Sequence, residues 1–527
     1  MTTHIDDVRI KHDVTVYYRY AMFSHKWEDN EPLFERVIRM VVYELEASPT
    51  HDKLKIFCTI VQDAGLQWAW SDTCCINKAD RFVLEEALVA MFKWYQGSAL
   101  TVVFLFDVLS PSQRRGDLMR SIWNTRAWTF QEYHASKVVR FYTKDWTPYM
   151  NLRIPNHKES PEIISEMEGV TGVSAKALMT LRPGLDDIRE KLCLASTRRT
   201  TLVEDAAYSL FGIFSMSLPV VYGEGNQALG RLLAQLLTSS RDTSIVAWIG
   251  KSGSFNSCLP TTITVFKQLP PSHIPPAIAT TDMDMEKLTT TLRVSSFSSA
   301  SVMKLYDQLH DLPLSLFVGQ RLELPCLRFK LGAITRAQNA GGHVFRAQTD
   351  TLGIVEIRTE EDLFRFSPLY LVHPWIDFLL DRQPVGSTVE TIPEENTEGQ
   401  SSCIVELPPD LLPGPFDLTS AARKRRTGRL ASGLGSPFGG LTATRRKDAG
   451  SLPPPSSVSQ EDKLTRAFQM IARLKQPFGA LLLEENPGNV AVHRRVAAET
   501  LVTVKLKEIT PTVLKKLISG VGVLDVL

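Results

Sequence analysis

Residues 14–27 read VTVYYRYAMFSHKW. Up to Ser24 the run is dense in Val, Tyr and Phe, which fit a pleated, buried surface, so 14–24 is predicted as a strand. The apolar text stops at Ser24-His25-Lys26-Trp27, and a polar turn over 25–30 leads to Pro32 in the first turn of a helix. That helix is predicted to carry Leu33, Val37, Ile38, Val41, Val42 and Leu45 on one face. A second helix over 52–64 places Leu54, Ile56, Phe57, Ile60 and Val61 inward and stops at Gly65. Strands come next at 67–73 (QWAWSDT), 100–108 and 138–142, with helices over 81–95 and 122–135 between them. The order β-α-α-β-α-β-α-β predicts an open α/β domain, with right-handed crossovers and a parallel sheet covered on both faces. Ligands of such sheets bind beyond the carboxyl ends of the strands. The loops 24–29 and 72–78 lie there.

Downstream the pattern changes twice. Residues 159–240 read as helical, most clearly at 204–214 and at 226–237 with Leu229, Leu232, Leu233, Leu236 and Leu237, and 243–249 reads as a closing strand. Beyond Gly250, short β-like runs at 292–295, 322–331, 353–357 and 369–372 alternate with Pro, Ser and Gly clusters, which predicts a mostly β, sandwich-like domain. Residues 419–459 are rich in Gly, Ser, Pro and Arg and poor in aromatics, so they are expected to be disordered. Ordered text returns with a helix at 464–474 and strands at 480–483 and 501–506. The expected organisation is an α/β domain over 1–150, a helical extension over 151–250, a β-rich domain over 251–418, the basic insertion over 419–459, and a segment over 460–527 that completes the β-rich domain.

Composition narrows the function classes. A chain of 527 residues is too long for one core. The net charge of +1 gives no global field to recruit nucleic acid or an anionic membrane. Seven cysteines, an odd number with no C-x-x-C pair, argue against a disulfide framework or a structural zinc module. The N-terminus MTTHIDDVRIKHD has no apolar core, and the longest apolar run, 100–106, is far short of the ~20 residues that span a bilayer. An intracellular, soluble protein is expected, with no metal and no membrane partner. The basic run Arg423-Lys424-Arg425-Arg426, with Arg429 beyond it, reads as a nuclear address or a solvated linker; lacking interleaved aromatics, it does not support nucleic-acid stacking.

Three motifs carry candidate chemistry. In Tyr20–Trp27 a strand ending in Ser24-His25, with Trp27 just beyond it, offers a hydroxyl, an imidazole and a stacking face; the same residues also suit a capped sheet edge. In 70–78 (WSDTCCINK), Asp72 at a strand end either accepts hydrogen bonds from a sugar hydroxyl or a neighbouring loop, or caps its own turn. Cys74 and Cys75 there read as reduced, buried thiols. In 126–132 (RAWTFQE), Trp128 and Glu132 are helical i,i+4 neighbours, so a carboxylate beside an indole would have a raised pKa and would interact with developing positive charge. The bland alternative is an exposed Glu132 paired with Arg126 or Lys137. Gly223-Glu224-Gly225 lacks the lysine and third glycine of a phosphate loop and is better read as shaping entry to the next helix.

Together and in this order, YAMFSHKW at 20–27, AWSDTCCINK at 69–78, MFKWY at 91–95 and RAWTFQE at 126–132 resemble the fungal heterokaryon incompatibility (HET) domain. The stretches ASTRRTT at 195–201, EDAAY at 204–208 and LPVVYGEG at 218–225 resemble the segment just C-terminal to that domain in the family. Family members usually carry Gly where this chain has Glu28, and often Asp where it has Asn77. The resemblance implies a role in non-self recognition and programmed cell death, self-association, a partner incompatibility protein, and a TIR-like (flavodoxin-like) fold. Some TIR-like domains cleave the nicotinamide–ribose bond of NAD with one helical glutamate in a Trp-x-x-x-Glu setting. By that analogy Glu132 is the catalytic carboxylate and NAD a substrate rather than a cofactor. Ser24, His25, Trp27, Asp72, Cys75, Asn77, Arg126, Trp128 and Gln131 are the implied substrate-binding set. The competing implication is a non-enzymatic signalling module that self-assembles through the same fold.

Overall fold

A computed structural model describes residues 16–110, 116–171, 181–240, 242–267, 289–290, 298–337, 343–365, 368–380, 460–486 and 489–527. The N-terminal sheet has four parallel strands, β1 (Tyr20–His25), β2 (Trp68–Ser71), β3 (Leu100–Phe104) and β4 (Val139–Tyr142), in the spatial order β2-β1-β3-β4. β1 lies inside the sheet with β2 on one side and β3 on the other, so the chain reverses its direction of growth at β1. Such a switch point opens a crevice at the strands' carboxyl ends. Both faces are covered. Ala21, Phe23, Val102 and Phe104 pack with Leu54, Phe57 and Val61 of the helix Pro49–Asp63. On the other face Met22, Val103 and Phe141 pack with Tyr95, Trp123 and Phe130.

The local signals explain most boundaries. Ser48 caps the helix Pro49–Asp63 by accepting from His51, with Pro at its start. Asp80 caps Arg81–Gly97 through the N–H groups of Phe82 and Val83. β3 is buried at every position, as an internal parallel strand requires.

Several expectations are corrected. The first strand begins at Tyr20 rather than at 14, because its ladder starts where Tyr20 meets Trp68; Val16, Tyr17 and Tyr18 are half exposed. The first helix shrinks to Phe34–Val37 and fully buries nothing, leaving Leu33, Ile38 and Val41 exposed; Leu45 is buried in the core, and Val37 and Val42 are half-buried against it. An apolar face needs an opposing surface, and that side of the sheet is already filled by Leu54, Phe57 and Val61. Ile56 of that second helix also faces out. The helix over 122–135 is two helices, Ile122–Thr125 and Trp128–Ala135, broken at Arg126, whose backbone is extended and bridges Arg199. Residues 243–249 form no strand but a 3-10 turn, Thr243–Val246, and the carbonyls of Val246 and Trp248 accept from the Arg495 guanidinium instead of a ladder partner. The helix predicted over 204–214 is regular only at Asp205–Tyr208, although Leu210, Phe211, Ile213 and Phe214 are buried as expected.

The C-terminal strands do not form a two-sheet sandwich. β5 (Leu316–Val318), β6 (Arg321–Arg336), β7 (His343–Thr349), β8 (Gly353–Thr359), β9 (Leu369–His373), β10 (Phe478–Asn486), β11 (Asn489–Arg495), β12 (Val502–Val504) and β13 (Val521–Val526) belong to one mixed, mostly antiparallel sheet. Its pairings close a circuit, β6-β9-β10-β11-β13 and back to β6, so that none of these five strands is an edge of that circuit. The helices Ser299–His310, Gln460–Lys475 and Pro511–Gly520 bury Leu305, Phe468 and Leu517 against it. One buried cluster runs from Met22 through Leu232 and Trp248 to Leu324, Leu483 and Val526. The strand expected at 292–295, the disordered insertion at 419–459 and the basic run from Arg423 lie outside the described residues. Among those described, no helix is long and apolar enough to cross a membrane.

Candidate functional site

Strand alternation sends Ser24 and His25 to opposite faces of the sheet. Ser24 points to the side of the helix Trp128–Ala135 and donates its hydroxyl to Glu132 Oε2. The indole of Trp123 donates to the same Ser24 oxygen at 2.8 Å, so Trp123, Ser24 and Glu132 form a chain across three elements. Glu132 is 7% exposed. Burial, and then the charge of Asp72, push its carboxyl up to about 7, against the Ser24 hydrogen bond and the nearby Arg126 and Arg198. Glu132 is therefore not the exposed partner of Arg126 or Lys137.

His25 lies on the other face, stacked on Phe23 with ring centroids 4.2 Å apart. Its Nε2 is 3.6 Å from Glu31, and among the described residues neither ring nitrogen has a hydrogen-bond partner. Burial, with added effects of Lys53, Arg126 and Lys78, holds its pKa well below the ordinary imidazole value, so it is neutral. Lys53 ties down the loop after β1: it pairs with Glu31 and, at 3.0 Å, with Glu28.

The second loop closes over the first. Trp27 Nε1 donates to Asp72 Oδ2 at 2.7 Å, and Lys78 places its Nζ 3.3 Å from the centroid of the Trp27 ring. Asp72 thus reaches to the neighbouring loop, while the turn behind it is closed by the Cys75 N–H on the Ser71 carbonyl. Burial raises the Asp72 carboxyl to about 6, opposed by Lys78, the Trp27 hydrogen bond and Arg126.

Other predicted site residues are placed elsewhere. Asn77 accepts from the Ala79 N–H and shapes the turn. Cys75 is exposed rather than buried, and its sulfur lies 4.0 Å from Cys74 with both thiols free. Gln131 points to Met91 on the helix Arg81–Gly97. Trp128 lies beside Asp205, to which Tyr222 donates at 3.0 Å, so its indole serves the contact with the later motifs. Arg126 places its guanidinium within electrostatic reach of Glu132, Asp72 and His25. Among the described residues, no group of three His, Cys, Asp or Glu side chains is placed to hold a metal ion.

Sequence reading missed Trp123 and Arg198. Trp123 gave no signal, because the helix break at Arg126 destroys its spacing to Glu132. Arg198 stood in the stretch ASTRRTT: it is buried, and donates to Thr129 at 3.0 Å, to the Arg126 carbonyl at 3.1 Å and to Asn124 at 3.3 Å. Arg199 then pairs its backbone with Thr125 and Ala127, so the later motif props the start of the glutamate helix.

Residues 20–115 match the family model described as Heterokaryon incompatibility protein (HET). The chain is 33% identical over 224 residues to "Vegetative incompatibility protein HET-E-1" of Podospora anserina, an alignment covering 40% of this chain and 16% of that protein. The chain thus spans well under two thirds of that relative's length. No solved structure matches. With the motif loops meeting across the ends of β1 and β2 and the family model falling on them, residues 20–115 of this chain form a heterokaryon incompatibility (HET) domain.

Proposed function

We propose that this protein is an effector of fungal non-self recognition and programmed cell death, and that its N-terminal domain is TIR-like and cleaves the N-glycosidic bond of NAD or a related nucleotide. The observation that carries this reading is the placement of one buried carboxyl, Glu132, against Ser24 at the end of β1, beside Asp72 at the end of β2. A carboxylate with little solvent around it stabilises an oxocarbenium-like centre more strongly than one in water. In the proposed step the bond between ribose and nicotinamide breaks, nicotinamide leaves with the bonding electron pair, and water adds to the ribose carbon to give ADP-ribose and a proton. Glu132 faces the developing cation, Ser24 fixes its orientation, and Trp27 supplies a ring for stacking. Self-association would raise activity by ordering the two loops, and a partner incompatibility protein would trigger it in the cytoplasm.

The full-length chain is incubated with NAD and nicotinamide release is monitored, native against Glu132→Gln. A loss of about 100-fold or more is expected, the usual scale for a positioned catalytic carboxylate. Equal turnover in the two, or none in the native protein at high concentration, removes the hydrolase reading.

A second reading is a non-enzymatic, self-assembling module, favoured by the closed chain Trp123–Ser24–Glu132, which can serve to lock helix to sheet. Overexpression in a fungal cell separates them: Glu132→Gln protein that still kills supports assembly without catalysis.

A further inference from the structure

Among the described residues, two cations beside Glu132 and Asp72 have no ionic partner. Other buried cations among the described residues are partnered, as their desolvation demands. Lys53 is held by Glu28 and Glu31, and Arg198 by Asn124, Thr129 and the Arg126 carbonyl. Lys158 is held by the carbonyls of Tyr133 and Ser136, and Arg495 by those of Val246 and Trp248. Lys78 and Arg126 break this pattern. The Lys78 Nζ and the Arg126 Nε are both buried and, among the described residues, have no hydrogen-bond partner. The Arg198 Nε has none either, but its terminal nitrogens are bonded, whereas among the described residues no side-chain hydrogen bond or ion pair holds Arg126. Lys78 is covered by the face of Trp27. Asp72 feels both cations yet gives its hydrogen bond to the Trp27 indole.

We infer that Lys78 and Arg126 form an anion subsite, covered by Trp27, that takes the diphosphate of a nucleotide next to Glu132. The ligand class rests on the nucleotide reading above; the subsite itself does not depend on hydrolysis. Arg supplies a planar fork of donors and Lys a point charge, the pairing that suits two linked phosphates. Trp27 is 39% exposed and tied by one hydrogen bond to Asp72, so its ring can leave Lys78 and stack on the ligand instead. Burial keeps the carboxyl of Glu132 only partly ionised near neutral pH, which lessens its repulsion of phosphate.

Isothermal titration of the full-length native protein tests this with inorganic pyrophosphate, ADP and adenosine. Pyrophosphate and ADP are expected to bind, adenosine at least tenfold more weakly, and added salt should weaken the first two. Lys78→Gln and Arg126→Gln should each lower pyrophosphate affinity about tenfold or more, with Arg126→Lys recovering part of it. Circular dichroism checks each fold; should Arg126→Gln fail to fold, Lys78→Gln alone decides. No binding of pyrophosphate or ADP at millimolar concentration, or unchanged affinity in the Lys78→Gln protein, overturns the subsite. Native protein that binds pyrophosphate through Lys78 but releases no nicotinamide leaves the subsite standing and sinks hydrolysis alone.

Discussion

Glu132 and Glu204 are both glutamates buried to the same degree, each 7% exposed, and their surroundings treat them in opposite ways. Glu204 accepts from the N–H groups of Gly223 and Gly225, each at 2.9 Å, in the Gly-Glu-Gly turn before the helix Gln227–Ser240. Those donors, together with its own backbone N–H, hold its carboxyl below the usual range. The turn that looked like half a phosphate loop is an anion cradle filled by the chain's own carboxylate. Glu132 receives the Ser24 hydroxyl and, among the described residues, no backbone donor, and burial lifts its carboxyl to about 7. A satisfied carboxylate builds structure, whereas an under-solvated one is left with energy that another cation can release.

The comparison is broken most directly by pH. The raised Glu132 carboxyl means the folded protein holds its proton longer than the unfolded chain does. Its contribution to stability is therefore fully present below about 4.5 and is lost as pH rises through about 7, on the order of 3 kcal/mol in all. Glu132→Gln should flatten that part of the melting-temperature profile. Glu204 should act in the other sense, stabilising above the ordinary carboxylate range and losing that contribution on acidification. If the Glu132→Gln protein keeps the native pH slope between about 5 and 7, the two carboxylates do not differ in this way.

A somewhat smaller effect is expected at neutral pH from Glu204→Ala, which strips two N–H groups of their acceptor. Roughly 2 kcal/mol should be lost in thermal or urea unfolding. Glu132→Gln, measured alongside, should cost less or stabilise.

Ser24→Ala sharpens the contrast by removing the hydroxyl that favours ionised Glu132. On the proposed hydrolase activity, the pH at which nicotinamide release rises should move alkaline by up to about one unit, the worth of a single hydrogen bond. An acid shift would show that Ser24 instead favours the protonated form.

The smallest change tests the cradle itself. Gly225 has φ +60° and nothing within 4 Å of an added Cβ, so Gly225→Ala should cost only the left-handed backbone penalty, about 1 kcal/mol. Restoration of full stability by Gly225→Asn, which tolerates that conformation better, would place the cost in the backbone.

Sequence reading succeeded where the signal is short-range. Apolar runs ending in polar turns located all four strands of the parallel sheet, with the first begun six residues too early, and placed Ser24 and Asp72 at strand ends. It failed where a segment's state depends on a distant one. The run from Leu33 to Leu45 has helical periodicity but surface to bury only part of it, and residues 243–249 have strand composition but give two carbonyls to Arg495. The break at Arg126 is imposed by Arg199, far along the chain.

From the amino-acid order alone came the α/β alternation, the carboxyl-end loops, and the motifs that place this chain in its family, because hydrophobic period and turn chemistry act over a few neighbours. Only the folded chain decided that Ser24, not Trp128, meets Glu132 across a separation of 108 residues, and that, among the described residues, Lys78 and Arg126 are left without an ionic partner. Those outcomes depend on which groups exclude water from one another once packed, and no local pattern encodes that.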